Sequence, residues 1–513
     1  MPISKEMKSI IILYNDEDSL FCNDKVFDGK SASERCEEWA KSLDSDFVVI
    51  NKCKNLSGLF SEMSNICKEK EADYVIFSFN DLPFLNVKLT KELIETHVKY
   101  KAEYTFADGY SYGFSPEIID KGTIGILEQL SKTVQESDGL LPVKRDSIFN
   151  FIKKDINSYE IESVLADTDW RLYRFNFDCS SKENFIACKE LFNLIEKDDD
   201  VEIISKKASV NPKILKTVPG FYNIQIQDSC RGKCSYCPYP EAYEEKNGIS
   251  PCNSKVSMNL ENFSNLLEKI KKFSNSAVIS LSSWGEAFEN PDILKYIEKV
   301  LSYSEFSLFI ETDGKNITES LCQNLEKILH EMPVHKGKYS PLMIAVSIDG
   351  FSDETCRKVR GEEISVKDLA EKIKLLNSVI PGCVYPQFVR MNENESELEQ
   401  FFRYWNEKSN ESAGNLIIQK YNDFADLLPE CKPADLSPLE RNVCWHLRRD
   451  MTILSNGNVP LCYQYVLDGI VGNVFKEPLE EIWQKYDKEL ENHIIGNYCE
   501  KCRKCDEYYT FNF

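Results

Sequence analysis

Apolar and polar positions alternate in two separate stretches of the chain, and the first stretch covers residues 1–200. Short apolar runs there predict strands at Ser9–Leu13, Asp46–Ile50 and Asp73–Phe77. Apolar residues at helical spacing predict amphipathic helices at Leu89–Tyr100 and Ile124–Val134. Strands that alternate with helices in this way are typical of an α/β layered domain.

The alternation stops at a polar segment, residues 196–200, and a segment with two prolines, and restarts at Tyr222. Six strands with intervening helices are predicted near residues 222–227, 277–281, 306–311, 342–348, 384–391 and 415–419. Because the carboxyl ends of the strands in (βα) units meet on one face, we expect the active site on that face. After about Asp435 the periodicity fades and cysteines become frequent.

Composition narrows the classes of function. The chain has 62 Lys and Arg against 84 Asp and Glu, a net charge of −22, which argues against nucleic acid as the main partner. Nineteen cysteines in 513 residues fall short of a disulfide scaffold, and the N-terminal apolar run is too short for export. No segment approaches the roughly 18 apolar residues of a membrane span. We therefore predict a cytoplasmic protein of two to four domains without a membrane partner.

Three cysteines, Cys230, Cys234 and Cys237, stand within eight residues directly after the predicted strand at 222–226. Three thiolates at this spacing can bind three irons of a [4Fe–4S] cube and leave the fourth without a protein ligand. Zinc uses similar short spacings, so a zinc site is the alternative. The C-x3-C-x2-C spacing resembles the signature of the radical S-adenosylmethionine (SAM) enzymes.

In that family the open iron chelates the amino and carboxylate groups of SAM, and the reduced cluster cleaves SAM to a 5′-deoxyadenosyl radical. The resemblance therefore implies a [4Fe–4S] cluster with SAM, a partial (βα)6 barrel, and a reductant such as flavodoxin or ferredoxin. Tyr236 occupies the position where relatives often place an aromatic residue near adenine. A plain packing role is the alternative for this side chain.

A second motif lies at the end of the second barrel strand. Gly285 and Glu286 resemble part of the family's Gly-Gly-Glu-Pro motif, in which backbone carbonyl and carboxylate groups receive the SAM amino group. The fit is partial, since Trp284 replaces the first glycine and Ala287 replaces the proline. The alternative is an ordinary strand-to-loop turn with a solvated glutamate.

Three more strand ends carry candidate residues. Thr312 closes the third strand much as Thr-Asn-Gly does in relatives, near the methionine moiety of SAM. Ser347 and Asp349 resemble residues that bond the SAM carboxylate and ribose, although isolated Ser-x-Asp pairs are usually turn or cap residues. Arg390 on the fifth strand can clamp a carboxylate or form an intradomain salt bridge. Arg390 and Asp349 are the candidates for contact with substrate or SAM.

A second set of cysteines occupies the C-terminal region, and it consists of Cys444, Cys462, Cys499, Cys502 and Cys505. The set resembles the SPASM domain, which adds auxiliary iron–sulfur clusters to radical SAM barrels. The five thiolates imply one auxiliary cluster, expected to be [4Fe–4S], with one of the last three cysteines left over. A tetrahedral zinc site is the alternative.

The N-terminal region carries a further resemblance. Residues 72–84 and 108–118 look like the middle of nucleotide-diphospho-sugar transferases of the cytidylyltransferase type, which have a GT-A-like α/β fold. The resemblance implies Asp81 and Asp178 as ligands of Mg²⁺. However, the loop at 14–19 is acidic where such enzymes have a Gly- and Arg-rich phosphate loop, and it would repel a triphosphate. We therefore predict that this domain has lost or redirected nucleotidyl transfer.

These observations predict an α/β protein of three domains, at residues 1–205, 215–432 and 435–513. The combination is similar to the spiro-SPASM proteins. The leading hypothesis is a radical SAM enzyme that abstracts hydrogen from a peptide or protein side chain, and a carbohydrate or nucleotide-sugar is the second candidate substrate. A non-catalytic iron–sulfur or zinc-binding scaffold or redox sensor is the alternative from another class.

Overall fold

The structure is a computed structural model that describes residues 7–17, 19–51, 53, 55–138, 141–197 and 199–510. The chain forms two compact units, Met1–Thr217 and Val218–Phe513. None of the described helices combines the length and the apolar character needed to cross a bilayer.

The Met1–Thr217 unit is built on a mixed six-stranded sheet. Its strands are β1 (Ser9–Asn15), β2 (Phe47–Asn51), β3 (Tyr74–Phe79), β4 (Tyr104–Asp108), β5 (Glu117–Asp120) and β6 (Ile161–Leu165). The order is β2-β1-β3-β5-β4-β6, in which β5 runs antiparallel to both of its neighbours and the other pairs are parallel. Every residue of β3 is buried, which explains its unbroken apolar run in the sequence.

The described residues of this unit include eight α-helices, which pack around the sheet or follow it. They are α1 (Ala32–Lys41), α2 (Leu56–Lys70), α3 (Val87–Tyr100), α4 (Lys121–Asp138), α5 (Ser147–Ile152), α6 (Lys182–Phe192), α7 (Val201–Ser209) and α8 (Pro212–Leu215). The start of α1 is fixed by a capping box, in which Ser31 and Glu34 satisfy each other's backbone N–H groups. Helices α3 and α4 confirm the two helices predicted from periodicity.

The Val218–Phe513 unit is built on a parallel sheet of seven strands. They are β7 (Phe221–Ile224), β8 (Ala277–Ser280), β9 (Phe306–Thr312), β10 (Leu342–Ser347), β11 (Val384–Arg390), β12 (Ile417–Lys420) and β13 (Asp450–Ile453). From β7 to β12 the spatial order follows the chain, so the six predicted strands form six adjacent βα units. Their carboxyl ends therefore meet on one edge.

Strand β13 is absent from the sequence prediction. It pairs in parallel with β7, from Asp450 opposite Phe221 to Ile453 opposite Ile224. Four residues are too few to show a period, and the pairing joins segments more than 200 residues apart. Because β13 extends the sheet beyond its first strand, it attaches the cysteine-rich C-terminal region to the barrel.

The remaining elements of this unit surround the sheet or form its C-terminal extension. The helices are α9 (Tyr239–Asn247), α10 (Leu260–Ser274), α11 (Ile293–Leu301), α12 (Glu319–Glu331), α13 (Asp353–Arg360), α14 (Val366–Val379), α15 (Leu398–Trp405), α16 (Trp445–Arg449), α17 (Leu479–Gln484), α18 (Asp487–Ile494) and α19 (Glu500–Lys504). An antiparallel hairpin joins β14 (Asn458–Pro460) to β15 (Ile470–Asn473). One continuous hydrophobic core includes Ile224, Ile310 and Ile344 of the barrel strands and also Trp483 and Leu490 of the extension.

Candidate functional site

The cysteine loop between β7 and α9 turns around Gly232. A Cβ built at Gly232 would lie 3.5 Å from the Cys230 Sγ and 3.6 Å from the Cys234 Sγ. The Cys237 N–H donates to the Cys234 carbonyl over 3.1 Å, which turns the chain toward α9. Position 232 therefore lies in direct contact range of the first two thiols.

The three thiols are close enough to affect one another's protonation. Burial and the nearby Cys234 thiol together raise the pKa of Cys237 to about 12. Burial also raises the pKa of Cys230, and the Cys237 thiol adds to that increase. Each of the three is a free thiol. Three neighbouring thiolates would repel one another without a bound cation, so this donor set fits an iron–sulfur cluster with three protein ligands.

Gly285 brings the loop after β8 against the cysteine loop. Its φ is +97°, and a Cβ there would lie 2.3 Å from the Gln227 carbonyl oxygen, so only glycine fits. The Glu286 N–H donates to the Ser229 carbonyl over 2.8 Å, and the Gln227 side-chain amide donates to the Glu286 carbonyl over 2.5 Å. Two hydrogen bonds thus connect the partial motif after β8 to the segment just before Cys230.

The Glu286 carboxylate joins the ends of β8 and β9. It accepts hydrogen bonds from the Thr312 hydroxyl over 2.8 Å, from the Asp313 N–H over 2.9 Å and from the Phe288 N–H over 3.0 Å. Burial and the negative charge of Asp313 together raise the pKa of Glu286 to about 8. The structure therefore brings the predicted residues Gly285, Glu286 and Thr312 together beside the cysteine loop.

Asp349 is fully buried and ties the end of β10 to the cysteine loop. Its carboxylate accepts hydrogen bonds from the Val389 N–H over 2.8 Å and from the Tyr236 hydroxyl over 2.9 Å. Asp349 has a left-handed φ of +64°, and its carbonyl accepts a hydrogen bond from the Asn394 side chain over 3.0 Å. Both Tyr236 and Asp349 are thus fixed by contacts within the protein.

Arg360, at the end of α13, is a buried cation at this site, and together with Gly361 it resembles the Arg-Gly pair that follows the fourth strand in many relatives. Its side chain is 2% exposed, and its guanidinium donates to the Ser347 carbonyl over 2.5 Å. The same guanidinium nitrogen lies 3.6 Å from the Asp349 carboxylate. Burial raises the pKa of Cys234, and the Arg360 charge partly opposes that increase. The Arg360 Nε–H is buried without a hydrogen-bond partner among the described residues. A buried cation with an unused donor fits a site for an anionic cluster.

Arg390 lies on β11 in an ion pair with Glu395, with N···O distances of 2.8 and 2.5 Å. The guanidinium is therefore occupied by the salt bridge that was the alternative to a free carboxylate clamp. A second polar group lies on the strands: the Gln387 side-chain amide donates to the Glu311 carboxylate over 3.1 Å and to the side-chain Oε1 of Gln419 over 3.0 Å. Burial raises the pKa of Glu311. In the sequence, Glu311 stands out as a charged residue inside an otherwise largely apolar strand.

The C-terminal cysteines come from three separate elements. Cys444 precedes α16, Cys462 follows β14, and Cys499, Cys502 and Cys505 stand before, within and after α19. Burial raises the pKa of Cys444 to about 11. Burial and the nearby Cys444 thiol together raise the pKa of Cys462 to about 12. Cys502 and Cys505 also have raised pKa values, caused first by burial and then by Cys444 and Cys462 among other groups. The donor set therefore fits a second thiolate-bound metal site.

A stack of aromatic rings connects the two cysteine regions. Trp284 lies between the parallel rings of Tyr239, at a centroid distance of 5.7 Å, and Tyr463, at 4.2 Å. Tyr239 begins the helix after the cysteine loop, and Tyr463 directly follows Cys462. Trp284, which stands where the family motif has glycine, thus packs the end of β8 against the C-terminal extension.

In the Met1–Thr217 unit, the predicted magnesium ligand Asp81 is paired with an arginine. Its two carboxylate oxygens each lie 2.6 Å from a nitrogen of Arg145, and the Ser19 hydroxyl donates to it over 2.6 Å. The Arg145 charge also acts on Asp178, whose Oδ1 accepts hydrogen bonds from Ser180 and from the Asn184 side chain. A guanidinium thus supplies the positive charge between the two predicted metal ligands.

Comparison with known proteins identifies both parts of the C-terminal unit. Residues 224–404 match the radical SAM superfamily, and residues 444–506 match the SPASM iron–sulfur cluster-binding domain. An uncharacterized protein of Treponema pallidum (strain Nichols) is 34% identical over 370 residues, which cover 71% of this chain and 98% of that protein.

Among solved structures, SuiB of Streptococcus suis bound to precursor peptide SuiA is 16% identical, with a TM-score of 0.41, covering 71% of this chain and 84% of that one. BtrN in complex with AdoMet and 2-DOIA is 14% identical, with a TM-score of 0.35, and the match covers 57% of this chain and 94% of BtrN. A cytidylyltransferase from Leptospira borgpetersenii is 16% identical, with a TM-score of 0.32, and the match covers 41% of this chain and 98% of the cytidylyltransferase.

The family matches confirm the predicted α/β class, the radical SAM barrel and the SPASM domain. They imply an iron–sulfur cluster with SAM in the barrel, an auxiliary iron–sulfur cluster in the SPASM domain, and a reductant. The transferase-like character of the N-terminal unit stays a prediction. The chain is an enzyme with a radical SAM domain at residues 224–404 and a SPASM domain at residues 444–506.

Proposed function

We propose that this enzyme reductively cleaves SAM at a [4Fe–4S] cluster held by Cys230, Cys234 and Cys237, and then abstracts hydrogen from a peptide or protein side chain. The observation that carries the proposal is the convergence of these three partly buried thiols with Glu286 and Asp349 at the carboxyl edge of the parallel sheet. When bound, the reduced cluster supplies a 5′-deoxyadenosyl radical from SAM.

The chain's own residues hold and shield this site. The three thiolates bind the cluster, Arg360 balances its negative charge, and Gly285 brings the backbone around Glu286 close to the cysteine loop. Glu286 and Thr312 orient the loops that receive the SAM amino group and methionine moiety. Because Glu286, Thr312 and Arg360 are buried, this part of the site is shielded from water, which protects a reactive radical.

Ser347 and Asp349 serve SAM in different ways. The Ser347 hydroxyl has no hydrogen-bond partner among the described residues, so it is free to bond the SAM carboxylate, whereas the Asp349 carboxylate is fixed by Val389, Tyr236 and Arg360. Asp349 therefore acts by positioning Tyr236, with its remaining acceptor capacity left for the ribose.

We expect Ser347→Ala to weaken SAM binding about tenfold, which corresponds to the loss of one hydrogen bond of about 1.4 kcal/mol, with little loss of cluster iron. Asp349→Ala should instead lower the midpoint of thermal unfolding, because it leaves buried donors without an acceptor. Equilibrium dialysis with SAM, iron analysis and calorimetry measure the three quantities. Unchanged SAM affinity in Ser347→Ala would remove Ser347 from the site.

The auxiliary site holds a [4Fe–4S] cluster that binds substrate or receives an electron. Cys444, Cys462 and the cysteines of residues 499–505 supply more than the four thiolates such a cluster needs. The reductant of the barrel cluster is a flavodoxin or a ferredoxin.

Glu311, Gln387 and Gln419 form the substrate-facing polar group of the barrel. Their carboxylate and amide groups offer acceptors and donors to the amide groups of a peptide. Anoxic incubation with SAM and dithionite tests this choice when cell extract is divided into a protein fraction and a small-molecule fraction. The protein fraction should stimulate 5′-deoxyadenosine release. Stimulation by the small-molecule fraction alone would favour a carbohydrate or nucleotide-sugar instead.

The N-terminal unit has the fold of a nucleotide-diphospho-sugar transferase without its activity, and it carries or orients substrate. Support comes from Arg145, which pairs with Asp81 where Mg²⁺ would need a free carboxylate. Calorimetric titration with CTP or UTP and Mg²⁺ should show no binding tighter than about millimolar, a free energy near −4 kcal/mol. Release of pyrophosphate from a nucleoside triphosphate and a sugar phosphate would overturn this assignment.

A further inference from the structure

His493, on α18, lies inside the cluster of C-terminal cysteines, although it belongs to no cysteine motif. The residue is 2% exposed, and its ring contacts Tyr498 edge-on at a centroid distance of 4.8 Å. Its Nδ1 accepts a hydrogen bond from the Cys444 N–H over 3.4 Å. The imidazole is thereby attached to the backbone of one proposed cluster ligand.

The ring also lies near a second proposed ligand, Cys502. One imidazole nitrogen of His493, a Glu489 carboxylate oxygen and the Cys502 Sγ lie within 4.8 Å of one another. The His493 Nε2 is buried and has no hydrogen-bond partner among the described residues. It stands 3.6 Å from the Glu489 Oε1, which is beyond normal hydrogen-bond length.

The hydrogen bond at Nδ1 decides what Nε2 can do. An imidazole that accepts at one nitrogen is neutral and carries its single proton on the other nitrogen. The Nε2 of His493 is therefore an N–H donor and not a lone-pair ligand for a metal. A buried donor beside the Cys502 sulfur has a natural acceptor once that sulfur is a cluster-bound thiolate.

We propose that His493 is a positioning residue of the auxiliary site: its Nδ1 holds the Cys444 backbone, and its Nε2–H donates to the Cys502 sulfur. This inference rests on the proposed auxiliary cluster. A hydrogen bond to a ligating sulfur stabilises the reduced state of an iron–sulfur cluster, because that state carries more negative charge. With Cys502 as one of the ligands, His493 therefore raises the reduction potential of the auxiliary cluster.

The test uses the full-length chain with Cys230, Cys234 and Cys237 replaced by alanine, so that one cluster remains. His493→Leu should shift the midpoint potential, measured by a redox titration followed by electron paramagnetic resonance, to a more negative value. His493→Gln, which keeps an N–H donor of similar reach, should stay near the parent potential. His330→Gln, on the exposed face of α12, is the matched control and should shift nothing.

Iron analysis separates the possible failures. If His493→Leu loses its iron while His493→Gln keeps both iron and potential, the donor role stands. An unchanged potential in an iron-replete His493→Leu variant would overturn the proposal, as would loss of iron in both variants. An equal negative shift in Glu489→Gln and His493→Leu would also overturn it, since the imidazole would then serve Glu489. A parent that contains no iron would refute the auxiliary cluster itself, and the inference with it.

Discussion

Anaerobic reconstitution of the unaltered chain should yield iron and sulfide approaching two [4Fe–4S] clusters per chain, and the Cys230→Ala, Cys234→Ala, Cys237→Ala triple variant should retain one. The reason is the separation of the thiols into two sets, one around Gly232 and one around Cys444 and Cys462. A cube needs about four thiolates when no other ligand completes it, so the five C-terminal thiolates suffice for only one more cluster. Colorimetric iron and sulfide analysis measures both values.

Further substitutions test the second set. Adding Cys444→Ala and Cys462→Ala to the triple variant should remove the residual cluster, because the remaining three C-terminal thiolates are too few. Cys252→Ala, at an exposed cysteine, is the control and should keep both clusters. If the triple variant contains stoichiometric zinc and no iron, the C-terminal site is a structural zinc site. The proposed role of an auxiliary cluster would then be withdrawn.

The second large effect is expected in the N-terminal unit, where Arg145→Ala should lower the free energy of unfolding by about 3–5 kcal/mol. Asp81 is 2% exposed and would lose both hydrogen bonds of its bidentate ion pair, which leaves a buried carboxylate without a cation. Urea dependence of hydrogen exchange in peptides from β1 and β3 measures the stability of this unit alone.

Arg171→Ala is the matched control for this prediction. Arg171 also forms a bidentate pair, with Asp169 at 2.8 Å, but its side chain is 58% exposed. Water screens such a pair, so its loss should cost less than about 1 kcal/mol. Small and equal effects of the two substitutions would contradict the buried-pair account of Asp81. Recovery of stability in an Arg145→Met, Asp81→Asn double variant would support it.

The residues that we propose for the barrel site could be selected from the sequence because their signals are local. Cys230, Cys234 and Cys237 stand at a fixed short spacing, and Gly285-Glu286 follows a short apolar run. The order of the βα units then places these segments on the same edge of the sheet without further information. The predicted helices α3 and α4 likewise rest on apolar periodicity within one segment.

The partners of the buried charged and polar groups could not be predicted, because they depend on contacts between distant segments. Arg360 is a site residue because it reaches the Ser347 carbonyl and the Asp349 carboxylate, and an arginine at the end of a helix gives no sign of burial. Arg145 meets Asp81 across 64 residues, and His493 meets Cys444 across 49. No periodicity or spacing rule connects such pairs, so only the folded chain reveals them.

The central claim is that the three-cysteine loop cleaves SAM, and the direct measurement is 5′-deoxyadenosine production by the anaerobically reconstituted chain with dithionite and SAM. The unaltered chain should produce 5′-deoxyadenosine, and the Cys230→Ala, Cys234→Ala, Cys237→Ala variant should produce none, because it lacks the cluster that binds SAM. Cleavage at the full rate in that variant would contradict the assignment of the site. An unaltered chain that holds both clusters, binds SAM and yields no 5′-deoxyadenosine would contradict the claim that this site cleaves SAM.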